Sequence, residues 1–188
     1  MMSKYGLVTL LLGCGLMSGV IAACTPAGEE TPSPDPVIES TVAATVTPTP
    51  QWKPDEQTAI NAVQTYIDKW TYIGQNLSDT DPNAIWEVAG PPAANNALQE
   101  WALWIQHDWH LIGTPEFDVI YVNPGATDDQ GKRYHVYGCY SSENAFLTDV
   151  TGVPFEKGAV RATMMYLVLI TPSQRSWVLE ETDKGELC

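Results

Sequence analysis

Apolar side chains recur at steps of three and four residues just beyond residue 54. This spacing is typical of one face of an amphipathic helix. Pro54, Asp55 and Glu56 precede it, and they suit a first turn because proline fits there and acidic groups favour the positive end of the helix dipole. The pattern predicts a long first helix whose wide apolar face consists of Ile60, Val63, Tyr66, Ile67, Trp70, Ile73 and Leu77.

Two shorter helices are predicted next. Asp81 can cap a helix that begins at Pro82 and continues to Val88, where the following Gly-Pro-Pro sequence ends it. A third helix is expected over residues 93–107. Its predicted apolar face consists of Leu98, Trp101, Ala102 and Ile105.

The second half of the chain changes to extended segments, in which two sets of side chains alternate as they do in a β-strand. The segments are separated by turn-forming sequences at residues 123–125, 128–131 and 172–173. Helices followed by antiparallel strands predict an α+β fold. The predicted strands cover residues 109–123, with a break near residues 113–115, and residues 132–143, 157–171 and 176–182.

The first 23 residues have the organisation of a secretory signal peptide. Lys4 gives a positively charged start, an apolar stretch follows, and small residues precede Cys24. The Ile-Ala-Ala-Cys sequence at residues 21–24 resembles the lipobox of bacterial lipoproteins, whose cysteine carries diacylglycerol and becomes the new N-terminus. The resemblance implies an acylated (palmitate-bearing) protein anchored at the extracytoplasmic face of the cell membrane. An ordinary cleaved signal and a retained transmembrane anchor are the alternatives.

Residues 24–54 combine the lipidation site with a segment rich in Pro, Thr, Ser and Glu. Such a segment has too little apolar surface to offset the entropy of ordering, and proline keeps it extended. We therefore expect a disordered stalk that separates the membrane from one globular domain at residues 55–188.

The net charge of −14 narrows the range of partners. Phosphate backbones and anionic lipid headgroups repel an acidic surface. The sequence therefore predicts no nucleic-acid partner and a membrane association that runs through the N-terminal lipid.

The four cysteines fit the same compartment. Cys14 lies in the predicted signal peptide and Cys24 is the predicted lipidation site, which leaves Cys139 and Cys188. We predict a disulfide between these two, since an exported domain meets oxidising conditions. A metal site or a reactive thiol is the alternative, but neither cysteine has a second Cys or His at metal-ligand spacing.

The order of elements also resembles nuclear transport factor 2-like proteins, and more narrowly small actinobacterial lipoproteins with that fold. The features that carry the resemblance are the long first helix, the Tyr-Gly-Cys-Tyr strand at residues 137–140, and the closing sequences at 176–179 and 185–188. The resemblance covers residues 55–188. It implies a curved antiparallel sheet that wraps around the first helix as a cone, a fold that includes ketosteroid isomerase-like and cyclase-like enzymes.

A cone of this kind can enclose a pocket, and aromatic or acidic side chains are the candidates to line it. No set of residues matches a catalytic motif, a phosphate-binding loop or a zinc signature, so we assign no catalytic residue, cofactor or metal. The predicted pocket-lining residues are Tyr66, Trp70, Trp101, Asp118, Tyr121, Tyr134 and Tyr166.

His107, Asp108 and His110 form a cluster at a predicted helix-to-strand junction. Such residues can bind metal or transfer protons. Neighbouring residues rarely converge on one ion, so a solvated or capping cluster is the favoured interpretation. His135 is expected on the opposite strand face from Tyr134.

Three functional hypotheses follow. The first is a non-enzymatic binding module for an envelope or protein partner, supported by the anchor, the stalk and the lack of a catalytic set. The second is a carrier or sensor for a small apolar ligand held inside the cone. The third, an isomerase-like or cyclase-like enzyme, has the weakest support. A hollow cone would favour the second or third, and a filled one the first.

Overall fold

Helices precede strands in the computed structural model, which describes residues 51–155 and 161–188. The predicted signal peptide, Cys24 and the predicted stalk as far as residue 50 lie outside the described residues. The last four residues assigned to the stalk, 51–54, belong to the domain instead, since Trp52 packs against the core and Pro54 begins α1. The helices are α1 (Pro54–Gln75), a short 3-10 helix (Pro82–Glu87) and α2 (Ala93–His107). The strands are β1 (His110–Gly113), β2 (Glu116–Asp128), β3 (Gly131–Ser141), β4 (Ala145–Thr148), β5 (Arg161–Ile170) and β6 (Ser176–Asp183). No helix in the described part of the chain combines the length and apolarity needed to cross a membrane.

The strands form two antiparallel sheets. The larger sheet has the order β2-β3-β5-β6, and β1 pairs with β4 in the smaller one. Bulges interrupt the pairing of β2 with β3 and of β5 with β6, and bulges of this kind bend and twist a sheet. The helices pack against one face of the larger sheet, which we call the inner face. This arrangement confirms the predicted α+β class.

The long first helix forms because its apolar stripe meets the inner face. Val63, Tyr66, Ile67 and Ile73 of the predicted stripe are buried. Ile60, Trp70 and Leu77 are partly buried and pack against the same core. At the N-terminus of α1, the carboxylate of Glu56 accepts a hydrogen bond of 3.0 Å from the backbone N–H of Lys53. Such a bond satisfies a backbone donor that has no partner within the helix.

The predicted apolar face of α2 was only partly correct. Trp101 is fully buried and Leu98 is half-buried, but Ala102 and Ile105 are exposed. Relative to the prediction, α2 is rotated about its own axis, because Trp104 packs edge-to-face on Trp70 with ring centroids 5.5 Å apart. The remaining buried positions are Ala93, Ala94 and Ala97, whose small side chains allow close packing.

Two strand predictions were wrong. β2 continues through residues 123–125, which were predicted as a turn, because a bulge between Pro124 and Thr127 absorbs the irregular sequence. The short strand β4 was not predicted, because four residues give too little alternation to detect. The start of the third predicted strand, residues 157–160, lies outside the described residues.

The predicted disulfide is confirmed. Cys139 and Cys188 are bonded, with Cα atoms 5.7 Å apart. The C-terminal segment reaches this position along β5, where the backbone N–H of Thr163 donates to the carbonyl of Glu186 at 2.8 Å and its carbonyl accepts from Lys184 at 3.0 Å. Thr163 is the β5 partner of Cys139, so the disulfide fastens the end of the chain to the centre of the sheet.

Replacing Cys188 by Ser is expected to lower the free energy of unfolding by about 4 kcal/mol, the chain-entropy value for a loop of this length. Urea unfolding of the full chain measures this difference. Leu187→Ser, which changes the exposed neighbour, is the matched control and should have little effect. Equal stability of the Cys188→Ser variant and the native chain would contradict the prediction.

Candidate ligand-binding cavity

Two cavities adjoin between the helices and the inner face of the sheet. The larger has a volume of about 420 Å³ and the smaller about 280 Å³. Trp70, Glu100 and Tyr140 line both, so the two are neighbours, and we call the pair the cavity. Its larger part lies toward β1 and β4, and its smaller part lies toward β5 and β6.

The larger part has aromatic walls. Trp70 and Trp104 meet edge-to-face where α1 and α2 come together. On the opposite side Trp109 contacts Phe155, with ring centroids 4.9 Å apart. The six aromatic residues that line this part are Trp70, Trp104, Trp109, Tyr140, Phe146 and Phe155.

The smaller part is more polar. Tyr66 of α1 donates its hydroxyl hydrogen bond to a carboxylate oxygen of Glu181 at 3.3 Å. The ring of Tyr66 also meets Tyr166 edge-to-face, with centroids 6.1 Å apart. Glu100, Glu181 and Asp183 supply carboxyl groups to this part.

A bulge brings Glu181 to the cavity. Val178 pairs with Val168 and lies in the core, so strict alternation would bring Glu180 to the inner face and leave Glu181 outside. The register shift between Leu167 and Val168 pairs Glu181 with Tyr166 instead. Both side chains therefore reach the same cavity.

Glu100 reaches the cavity from α2. It lies three residues after Ala97 and four before Trp104, on the same side of the helix as these buried residues, although its own side chain is exposed. Burial, reinforced by the negative charge of Glu181, raises the pKa of Glu100 to about 7, although a hydrogen bond from Trp70 acts in the opposite direction. Because the residue is exposed, water screens part of this repulsion.

Burial also favours the neutral forms of Glu181 and of three tyrosines that line the cavity. Burial raises the pKa of the Glu181 carboxyl, which its hydrogen bond from Tyr66 partly offsets. Burial, together with the nearby carboxylates, raises the pKa of Tyr140 to about 12 and moves the pKa values of Tyr66 and Tyr166 upward as well. The phenols therefore remain protonated and available as hydrogen-bond donors at neutral pH.

Three of the predicted pocket-lining residues lie in the cavity: Tyr66, Trp70 and Tyr166. Trp101 is not among the lining residues. It is buried in the core, with its ring centroid 6.4 Å from that of Trp70.

The remaining candidates lie elsewhere. Asp118 pairs with Cys139 and is exposed on the outer face of the sheet. Tyr121 follows a bulge and stacks on Tyr137 on that same outer face. Tyr134 is buried, but its hydroxyl donates to Asp55 at the start of α1, at 3.3 Å. His135 lies on the opposite face from Tyr134, as expected.

The histidine cluster has a capping geometry. Asp108 ends α2 in the left-handed conformation, with φ of 57°. His107 stacks on Trp109 with ring centroids 4.8 Å apart, and His110 lies 3.6 Å from the Asp108 carboxylate. No group of three or more His, Cys, Asp or Glu residues within residues 51–155 and 161–188 is arranged to hold a metal ion.

Sequence reasoning missed both glutamates. Glu100 left a usable signal, because a charged side chain in an alanine- and tryptophan-rich helical stripe is unusual. Glu181 left none, because its inward orientation depends on a bulge that the local sequence does not mark.

No protein-family model and no curated protein matches the sequence. Among solved structures, the intermembrane space region of the chloroplast protein ARC6 is similar, with a TM-score of 0.46 and 15% identity. The match covers 71% of this chain and 98% of that chain. A similarity at this level carries no argument about function. The fold and the cavity define an α+β domain with an internal site that is aromatic at one end and acidic at the other.

The elevated pKa of Glu100 predicts a loss of stability with rising pH. A carboxyl whose pKa is higher in the folded state favours folding when protonated, so its contribution falls as the pH rises from about 4.5, its ordinary value, to about 7. Glu100→Gln should flatten that decline and stabilise the protein at pH 8 by about 1 kcal/mol, a figure that allows for solvent screening.

Urea unfolding of the full chain at pH 5 and pH 8 measures this effect. Glu180→Gln makes the same charge change on the exposed face of β6 and is the control. An unchanged pH dependence in Glu100→Gln would contradict the assigned direction of the shift.

Proposed function

We propose that this protein is a lipid-anchored, extracytoplasmic binding protein that holds a small, largely apolar ligand in the cavity. The observation that carries this proposal is the aromatic-walled space of about 420 Å³ between the helices and the sheet. Ligand pockets have volumes of about 300–1,000 Å³ and combine apolar walls with a few polar groups. The cavity has this composition.

The location of the protein follows from the N-terminal sequence. A charged start, an apolar stretch and Ile-Ala-Ala-Cys support lipidation of Cys24, and the Pro- and Thr-rich segment after it supports a stalk. The disulfide between Cys139 and Cys188 agrees with an oxidising compartment. Helices packed on a bulged antiparallel sheet agree with a nuclear transport factor 2-like domain.

Binding is a better account of the cavity than catalysis. Acid–base enzymes commonly hold two titratable groups whose pKa values are pushed apart, so that one donates a proton while the other accepts it. Here the pKa values of Glu100 and Glu181 move in the same direction, and Tyr66, Tyr140 and Tyr166 remain protonated. These five groups can hold a polar group of a ligand, and their pKa values are not pushed apart as those of an acid and a base would be.

A protein partner is the second candidate function. Several large apolar side chains are exposed, including Val150 at 71% and Val153 at 62% in the segment after β4. Exposed apolar surface is a common feature of interaction sites. Changing both valines to Ser should abolish capture of a protein partner without reducing ligand binding in the cavity.

Filling the cavity should abolish ligand binding. Ala145→Trp places an indole in the larger part, and it should weaken binding of a neutral fluorescent probe, N-phenyl-1-naphthylamine, by about tenfold or more, since the apolar contacts are lost. The measurement is probe fluorescence titrated with the full chain. Ala126→Trp, at an exposed position on β2, is the control and should bind as the native chain does. Equal binding by both variants would exclude the cavity as the site.

Cys24→Ser tests the anchor. Because the serine hydroxyl cannot form the thioether to diacylglycerol, this variant should lose its acyl chains and its stable membrane association. Radiolabelled palmitate incorporation and membrane fractionation measure the two effects, with Cys14→Ser as the matched control. A Cys24→Ser variant that is processed normally and remains in the membrane fraction would rule out lipid anchoring at this residue.

A further inference from the structure

The charges of the cavity all have one sign. Among the residues that the structure describes, the charged side chains that line either part are Glu100, Glu181 and Asp183. Aromatic rings lie beside these carboxyl groups. We propose that the cavity selects a small molecule with a cationic ammonium head and an apolar or aromatic body. This inference rests on the proposed ligand-binding function and specifies the class of ligand.

The aromatic walls favour a cation. The face of an indole or phenyl ring carries partial negative charge and attracts an ammonium group within about 6 Å of its centre. The rings of Trp70 and Trp104 pack edge-to-face, so the two rings lie nearly perpendicular to each other. Glu100 lines the cavity beside both. An ammonium group placed there would lie beside the Glu100 carboxylate and the indole rings, while the rest of the molecule occupies the larger part of the cavity, which Trp109 and Phe155 line.

Within residues 51–155 and 161–188, no cationic side chain lines the cavity beside these carboxyl groups. Glu100 and Glu181 repel each other, and hydrogen bonds from the neutral donors Trp70 and Tyr66 lower their pKa values. Ionised groups in a cavity are usually paired, because an unpaired charge is costly to desolvate. A bound cation would supply the missing countercharge, whereas an anionic ligand would meet repulsion from every charged group that lines the cavity.

The cation and a neutral polar ligand differ in their predicted pH dependence. A cation prefers the ionised carboxylate, so its affinity should rise with pH, while a neutral acceptor prefers the protonated carboxyl, so its affinity should fall. Glu100 is the group expected to ionise in this range. The titratable groups that face it across the cavity are Glu181, Asp183, Tyr66, Tyr140 and Tyr166.

Three naphthalene compounds of similar size separate the possibilities: (1-naphthylmethyl)trimethylammonium, 1-naphthylmethanol and 1-naphthylacetate. We expect the cation to bind the full chain at least about tenfold more tightly than the alcohol at pH 8, with the acetate weakest. Binding of the permanent cation should also strengthen about tenfold between pH 5.5 and pH 8. Isothermal titration calorimetry measures each affinity on the full chain in detergent. A titration without protein corrects for partition of the compounds into the detergent micelles.

Two variants locate the effect. Glu100→Gln should remove most of the cation's advantage and its pH dependence but retain binding of the alcohol, while Glu180→Gln should change neither. Trp104→Leu keeps an apolar side chain but removes an aromatic ring from the region assigned to the ammonium group, so it should weaken binding of the cation more than binding of the alcohol. Because binding of the alcohol reports an intact cavity, a variant that merely misfolds is recognised by losing both ligands.

The outcomes distinguish this inference from the function on which it rests. If the alcohol binds as tightly as the cation, or the acetate binds best, the cationic preference is overturned and an apolar binding protein remains. If none of the three compounds binds, both proposals fail. Phosphatidylcholine vesicles test whether the ligand is a lipid, because this lipid's headgroup also carries a quaternary ammonium. Glu100-dependent sedimentation with them would overturn the assignment to a free small molecule.

Discussion

The packing of α1 across the inner face of the larger sheet is the contact on which the rest of the structure depends. Val63, Tyr66 and Ile67 cover the centre of the sheet and exclude water from it. Burial of an aliphatic or aromatic side chain stabilises a fold by about 1.5–3 kcal/mol, so these few residues supply much of the driving force. The same helix carries Tyr66 and Trp70 into the cavity, and for this reason the element that builds the core also builds part of the candidate site.

The interior is not packed uniformly. Gly138 allows the ring of Phe117 to lie against β3, where any side chain at position 138 would collide with it. Phe117 in turn meets Tyr166 edge-to-face, with ring centroids 5.1 Å apart. These contacts fill the region beside β2, while the region between Trp70, Glu100 and Tyr140 stays open. Carboxyl groups turned into that opening have a cost in folding free energy, and this is the usual condition of a site kept for binding rather than stability.

Much of the fold could be predicted because its signals are local. The apolar period of α1, Asp81 before Pro82, and the alternation in β3 and β5 each specify an element through contacts close in sequence. Cavity residues were predicted where they belong to those elements, as for Tyr66, Trp70 and Tyr166. Asp118 was selected for its chemistry, yet the alternation of β2 placed it on the outer face with Cys139.

The sequence by itself determined that helices precede strands, the α+β class and the pairing of Cys139 with Cys188, because periodicity, turn residues and cysteine number are properties of the chain alone. Only the tertiary structure decided which side chains share the cavity. A bulge between β5 and β6 turned Glu181 inward, and the contact between Trp70 and Trp104 fixed the rotation of α2 that brought Glu100 beside it. Both depend on how separate elements fit together, and no local pattern of residues encodes that fit.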